Sequence, residues 1–189
     1  MALWGGRFAK DAESSVRDFT ESISYDRRLY KHDIEGSKAH AQMLASVGIV
    51  PQASADAICE ELERIRKRID AGDFTFKTEL EDIHMHIESE LIKALGDEGA
   101  RVHTARSRND QVCLDVRLYL REEILHLTEG IRMFQQALTE QAEANKRVIL
   151  PGFTHLQHAQ PVLLAHHLLA YAEMFERDIG RLLDARRRL

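Results

Sequence analysis

The chain has 189 residues, 30% of them charged and 44% hydrophobic, with three prolines and a formal charge of −5. That composition suits a helical protein with a buried core, and the negative balance argues against a general nucleic-acid binder. No apolar run is long enough to span a bilayer, so no membrane association is expected.

The N-terminal segment, Met1 to Arg7, has no apolar signal-peptide region, and a cytoplasmic location is expected. Trp4, Phe8 and Phe19 read as anchors of an irregular arm. Cys59 and Cys113 lie in helical patterns at no metal or redox spacing, and both are expected as small core residues in a reducing compartment. Leu29, Leu44 and Val47 mark a helix over about 26–47, stopped by Gly48 and Pro51. Ser54 reads as the N-cap of a second helix carrying Ile58, Leu62, Ile65 and Ile69. A third runs over about 80–95, with Ile83, Ile87 and Leu91 inward and Gly96 past its end.

Residues 101–109, Arg-Val-His-Thr-Ala-Arg-Ser-Arg-Asn, hold three arginines and almost nothing apolar. A long helix follows over about 109–145, with Cys113, Val116, Leu120, Ile124, Leu127, Ile131, Phe134 and Leu138 as its inward stripe. Free N–H groups and the helix dipole at such a start favour a small anion, and Arg106, Ser107, Arg108 and Asn109 add donors. The alternative is a well-capped helix start and no more.

Thr154 and Gln157 have capping-box spacing, but Pro161 would break that helix. The last helix is therefore expected to begin with Pro161 at its first position and to run to the C-terminus. No strand-like alternation is evident. The fold class predicted is all-α: a small N-terminal helical domain over 1–105, then the first long helices of a central helical bundle over 106–189. Two long helices cannot cover each other's apolar faces. Oligomerisation or further chain is expected, and the end at Leu189, without Gly or Pro, reads as that of a truncated fragment.

Three other patches carry polar chemistry: Glu21–Asp26, Glu81–His86 and Thr154–Gln160. Their hydroxyls, amides and imidazoles suit a polar, multiply charged small molecule and proton transfer near neutral pH. His84, His86 and Glu88 have helical spacing for metal ligands, but no second ligand pair accompanies them, and no metal is expected. His155 sits at a turn where packing does not demand it, which makes it a candidate general acid or base. No nucleophile elbow, phosphate loop or dinucleotide fingerprint is present, and no cofactor is expected.

Six motifs occur in one order: Trp4-Gly-Gly-Arg-Phe8, Ser22-Ile-Ser-Tyr-Asp26, Gly36-Ser-Lys-Ala-His40, Glu81-Asp-Ile-His84, His103-Thr-Ala-Arg-Ser-Arg-Asn-Asp-Gln-Val112, and Pro151-Gly-Phe-Thr-His-Leu-Gln157 with Ala159-Gln-Pro161. Together they resemble the argininosuccinate lyases of the aspartase/fumarase superfamily. The resemblance implies β-elimination of argininosuccinate to arginine and fumarate, in a homotetramer whose sites are built from several subunits. It implies that Ser22, Arg108, Asn109 and Thr154 bind substrate and that Asp82 and His84 line the site. Asp26 would order Ser22, Ser107 and Gln157 would belong to the binding set, and His155 would take part in proton transfer.

The sequence departs from the family in several places. The flexible loop with the family's catalytic serine, and its downstream lysine and glutamine contacts, have no counterpart here, so the chain alone is expected not to turn over. Ala105 stands where Gly is common and is expected to keep φ negative. His158 stands where Arg is common. Two other readings are a non-catalytic, crystallin-like member of the fold and a relative such as adenylosuccinate lyase, whose purine nucleotide substrate would need a phosphate site.

Overall fold

A computed structural model describes residues 13–189. Trp4 and Phe8 lie outside the described residues, and Phe19 is 89% exposed rather than an anchor. The chain divides into two compact units, residues 1–117 and 118–189, with the division inside one long helix.

The first unit opens with α1 (Ser14–Thr20) and the single turn α2 (Ile23–Asp26), which passes through a 3₁₀ turn at Arg27–Leu29 into α3 (Tyr30–Ser46). The one helix expected over 26–47 is thus split. α4 (Gln52–Asp70) follows. Its N-cap is Pro51, not Ser54, which is buried in the first turn. Proline at that position supplies a fixed φ and gives up no N–H bond the helix needs. Ile58, Leu62 and Ile65 recur at four and three residues and are at most 1% exposed. They pack with α3, which buries Ile34 and Leu44, and with α5 (Ile83–Leu95). Ile83 to Ile87 are all buried, the histidines included, so α5 enters the core with no solvent face in its first turn.

Asp82, not Leu80, starts α5. Its carboxylate accepts the Met85 amide at 2.6 Å, which satisfies an orphan donor and sets negative charge at the positive end of the helix. Past Gly96 comes the short α6 (Asp97–Ala100). Gly99 is required there, since a Cβ would lie 2.4 Å from the Leu91 carbonyl oxygen.

α7 (Arg108–Ala144) begins in the first unit. Its inward line there is polar, Gln111 and Asp115, whereas Cys113 and Val116 of the expected stripe are exposed. In the second unit Thr128 and Ala142 are buried, and Leu120, Leu127 and Phe134 are exposed. The apolar residues of α7 are therefore largely left over once the chain's own contacts are made.

The turn after α7 is a β-hairpin, which corrects the absence of strands expected from the sequence. β1 (Ile149–Thr154) pairs antiparallel with β2 (Gln157–Leu163), Thr154 opposite Gln157 and Pro151 opposite Pro161, with a bulge at Gly152. Both prolines are tolerated because a two-stranded ribbon has a free edge on each side. α8 (Leu164–Arg187) consequently begins three residues after Pro161. It runs antiparallel to α7: Gln135 donates to the Ala172 carbonyl at 2.9 Å, and Arg186 donates to that of Arg121 at 3.1 Å. Phe134 and Phe175 meet edge to face at 5.2 Å. Among the described residues the architecture is all-α, with one hairpin. Among the described residues no helix is long and apolar enough to cross a membrane.

Candidate active site

Among the described residues, three that are not glycine hold a positive φ: Glu81 at 58°, Ala105 at 54° and His155 at 53°. Each costs the backbone free energy, because a Cβ crowds its own peptide in this region. Each also falls inside one of the polar patches singled out from the sequence, where strain is commonly tolerated for the sake of a site. Ala105 reverses the expectation of a negative φ. The loop needs the left-handed conformation to turn from the 3₁₀ segment Arg101–His103 into α7, and alanine adopts it under strain.

The strained Glu81 directs its carbonyl at the start of α2, where it accepts the amides of Ser22 and Ile23, both at 2.9 Å. Ser22 Oγ donates to Asp26 Oδ2 at 2.6 Å, and Asp26 Oδ1 accepts the Ile83 amide at 3.2 Å. Asp26 thus bonds both the Ser22 hydroxyl and the first residue of α5. Burial raises its pKa, partly offset by the Ser22 hydroxyl.

Asp82 reaches the other way: Arg108 Nε stands 3.2 Å from its Oδ2. Arg108 also donates to Gln111 Oε1 at 2.6 Å and lies 3.6 Å from Glu88, which in turn faces His103 at 3.5 Å. Ser107 Oγ accepts the Asn109 amide at 3.3 Å, and Asp110 accepts the Ser107 amide at 2.9 Å. These two bonds cap the start of α7, though not as a reciprocal capping box, since Ser107 bonds the Asn109 amide and not that of Asp110. The helix start is therefore capped, and Arg106 and Arg108 turn inward instead of into solvent. Arg106, only 5% exposed at its side chain, donates to Ser37 Oγ at 2.8 Å.

Behind this layer lies His84, whose Nδ1 is 2.9 Å from Asp33 Oδ1 and 3.3 Å from Asp115 Oδ2. Gln111 Nε2 donates to the same Asp33 oxygen. Gly36 lets α3 approach here, for a Cβ on it would meet Leu114 at 3.0 Å and Asp115 at 3.5 Å. Burial pushes the Asp33 carboxyl up, but hydrogen bonds from His84 and Gln111 and the charge of Arg106 outweigh it and leave it lowered. Asp115 goes the other way, up to about 8, through burial and then the neighbouring charge of Asp33. Asp33, His84 and Asp115 have ligating atoms within 4.8 Å of one another, the spacing of a metal site. With two arginines adjacent and the ring nitrogen hydrogen-bonded to Asp33, the surroundings suit a proton there better than a cation. Ser37, His84, Glu88, His103, Arg106 and Gln111 line one narrow cleft, open in part to solvent.

Of the residues expected at a site, Ser22, Asp26, Asp82, His84 and Arg108 thus join one network in the first unit, with Ser107 and Asn109 exposed at its edge. Thr154, His155 and Gln157 form a second group, in the second unit. Thr154 and Gln157 pair as the last residues of the hairpin, and His155 opens its two-residue turn. All three are exposed. Asp33, Asp115 and Gln111 were missed, whereas Arg106 was expected as a donor at the helix start and instead bonds Ser37. The available signal was charge or amide at helical spacing on an inward face: Asp33 stands one turn from Ser37, and Gln111 one turn from Asp115.

A family model described as lyase matches residues 6–189. Argininosuccinate lyase of Pelobacter propionicus is 56% identical over 187 residues, 99% of this chain and 41% of that protein. Those of Thioalkalivibrio sulfidiphilus and Pelotomaculum thermopropionicum are 53% and 54% identical, each with 40% of its length covered. The chain therefore spans about two fifths of the length of these curated relatives. Among solved structures, ethylenediamine-disuccinate (EDDS) lyase in complex with formate superposes with a TM-score of 0.74 at 23% identity, over 91% of this chain and 33% of that one. Fumarate lyase:delta crystallin from Brucella melitensis superposes at 0.73 and 19% identity, over 90% and 44%. At such identity the structures speak to the fold alone. With its fold, its motif residues and a match over nearly its whole length, the chain belongs to the lyase family, in which its curated relatives are argininosuccinate lyases.

Proposed function

We propose that the chain supplies the N-terminal part of a lyase that cleaves argininosuccinate to arginine and fumarate. The observation that carries this reading is the network that joins Ser22, Asp26, Asp82, Arg108 and His84 across three separate segments of the first unit. Similarity to argininosuccinate lyases over 99% of the chain supports the same substrate.

In the reaction a base takes a proton from the carbon beside one carboxylate of the succinyl part. The electron pair left behind forms the carbon–carbon double bond of fumarate as the carbon–nitrogen bond to the guanidino group breaks. An acid returns a proton to the departing nitrogen, and arginine leaves. Negative charge builds on carboxylate oxygens in the transition state, so fixed donors accelerate the step. Ser22, Ser107, Arg108, Asn109, Thr154 and Gln157 supply such donors. Asp26 fixes Ser22, Asp82 and His84 line the site, and Asp82 holds Arg108. His155 takes part in proton transfer, and its strained place at the hairpin turn gives it an exposed ring.

The functional division falls at 105/106, where the binding loop hands over to α7. The exposed apolar residues of α7 and α8, among them Leu127, Met133, Phe134 and Met174, support assembly into a homotetramer. Two free cysteines support a reducing cytoplasmic setting.

The test joins these 189 residues to the remaining part of the Pelobacter propionicus relative and follows fumarate release. The fused protein is expected to release fumarate and the chain alone to be silent. A folded fused protein without activity would overturn the proposal.

A further inference from the structure

His84 has one hydrogen on Nδ1 to offer, and two buried carboxyl groups face it. Asp33 on α3, His84 on α5 and Asp115 on α7 each have at most 2% of the side chain exposed. A neutral imidazole places its hydrogen on one nitrogen and leaves the other as an acceptor. The shorter contact, 2.9 Å, goes to Asp33, and the longer, 3.3 Å, to Asp115.

The rest of the environment is equally uneven. Asp33 Oδ1 also accepts from Gln111, and the Arg106 guanidinium adds favourable charge. Neither oxygen of Asp115 has a hydrogen bond of good geometry, and Asp33 Oδ2 has none either. The charged and titratable groups facing Asp115 are Asp33 from α3, His84 from α5, Arg106 from the loop and Arg108 from α7 itself. Two adjoining buried carboxylates cannot both stay ionised cheaply, and the less well served one takes up a proton.

We infer that Asp33, as a carboxylate, and Asp115, as a neutral carboxylic acid, are positioning residues that keep the hydrogen of His84 on Nδ1 and leave Nε2 as an acceptor for the N–H groups of a bound ligand. The identity of that ligand rests on the lyase reading; the arrangement of protons does not. In an argininosuccinate site the acceptor selects the guanidino or amino end of the substrate, because a carboxylate would meet a lone pair. The raised pKa of Asp115 agrees with a neutral carboxyl at pH 7.

Magic-angle-spinning NMR of the full chain, labelled with ¹⁵N-histidine and ¹³Cγ-aspartate, reads both protons at pH 7. His84→Gln and Asp115→Asn identify the two signals. The expected spectrum shows His84 protonated on Nδ1 and bare on Nε2, with Asp115 at the shift of a protonated carboxyl. In Asp33→Asn the His84 hydrogen should spread over both nitrogens, which a merely space-filling role for Asp33 would not produce. A hydrogen on Nε2, two ionised carboxyls, or a zinc-bound Nδ1 after Zn²⁺ addition would overturn the inference. Fumarate release is not read in this experiment, so failure of the lyase reading would show separately.

Discussion

Arg108 Nε stands 3.2 Å from Asp82 Oδ2, which ties the first residue of α7 to the residue that caps α5. Asp82 therefore has two separable duties. Asp82→Asn keeps a capping oxygen but loses the charge that holds Arg108, whereas Asp82→Ala loses both. The alanine variant is expected to destabilise the chain by about 1 kcal/mol more than the asparagine variant. Urea unfolding of the two proteins measures the difference. Equal midpoints would show that the cap contributes nothing.

Asp115 makes stability depend on pH in a particular direction. Its carboxyl is raised from 3.8 to about 8 by burial and then by Asp33. The native state therefore holds a proton that the unfolded chain releases, and this contribution is fully present below pH 4 and lost as pH rises through about 8. Asp33 is lowered, so its contribution runs the opposite way and fades as pH falls below the usual carboxylate range. Asp115→Asn has no such proton to lose. Its Tm relative to the native chain is expected to climb between pH 5 and pH 8, as scanning calorimetry would record; a constant offset would contradict the assignment.

His86 anchors the segment that leads into Asp82. Its Nδ1 donates to the Asp82 carbonyl at 2.6 Å, and its Nε2 accepts the Lys77 amide at 2.8 Å. Phe76 packs edge-on against the ring at 5.6 Å. His86→Leu leaves the Lys77 amide without this acceptor and should cost about 1–3 kcal/mol. Hydrogen exchange at Lys77 is expected to speed up well beyond the change at core amides. Unaltered exchange there would rule out the bond.

Ala105 sits at a φ of 54° that glycine adopts without strain. Ala105→Gly is expected to raise stability by about 1 kcal/mol, the strain released exceeding the entropy lost. By contrast Leu62→Ala, at a site with no exposure, should lower it by about 2–5 kcal/mol. Chemical denaturation compares the two directly. A loss of stability in Ala105→Gly would mean that the loop is not held in the left-handed region.

The helices of the first unit are legible where apolar residues repeat at three and four against a core, as Ile58, Leu62 and Ile65 do. The hairpin is not legible, because strands exposed on both faces carry no alternation, and prolines at 151 and 161 read as breakers. α7 is legible as a helix but not in its orientation. Its apolar residues mark one stripe, while the chain's own contacts bury Gln111, Asp115 and Thr128 instead. The resemblance named Ser22, Asp82, His84 and Arg108. Asp33 and Asp115 were hidden because a charged residue on a helix face reads as solvated until its neighbours across the core are known.

Arg108 is the residue on which the functional account turns. The most direct measurement is steady-state cleavage of argininosuccinate by the fused protein, with fumarate and arginine both quantified, beside its Arg108→Lys variant. A lysine cannot reproduce the fork that spans Asp82, Glu88 and Gln111. The account predicts equal yields of fumarate and arginine and a loss of about a hundredfold in kcat/KM for the variant. Full activity in Arg108→Lys, or no cleavage by a folded fused protein, would contradict it.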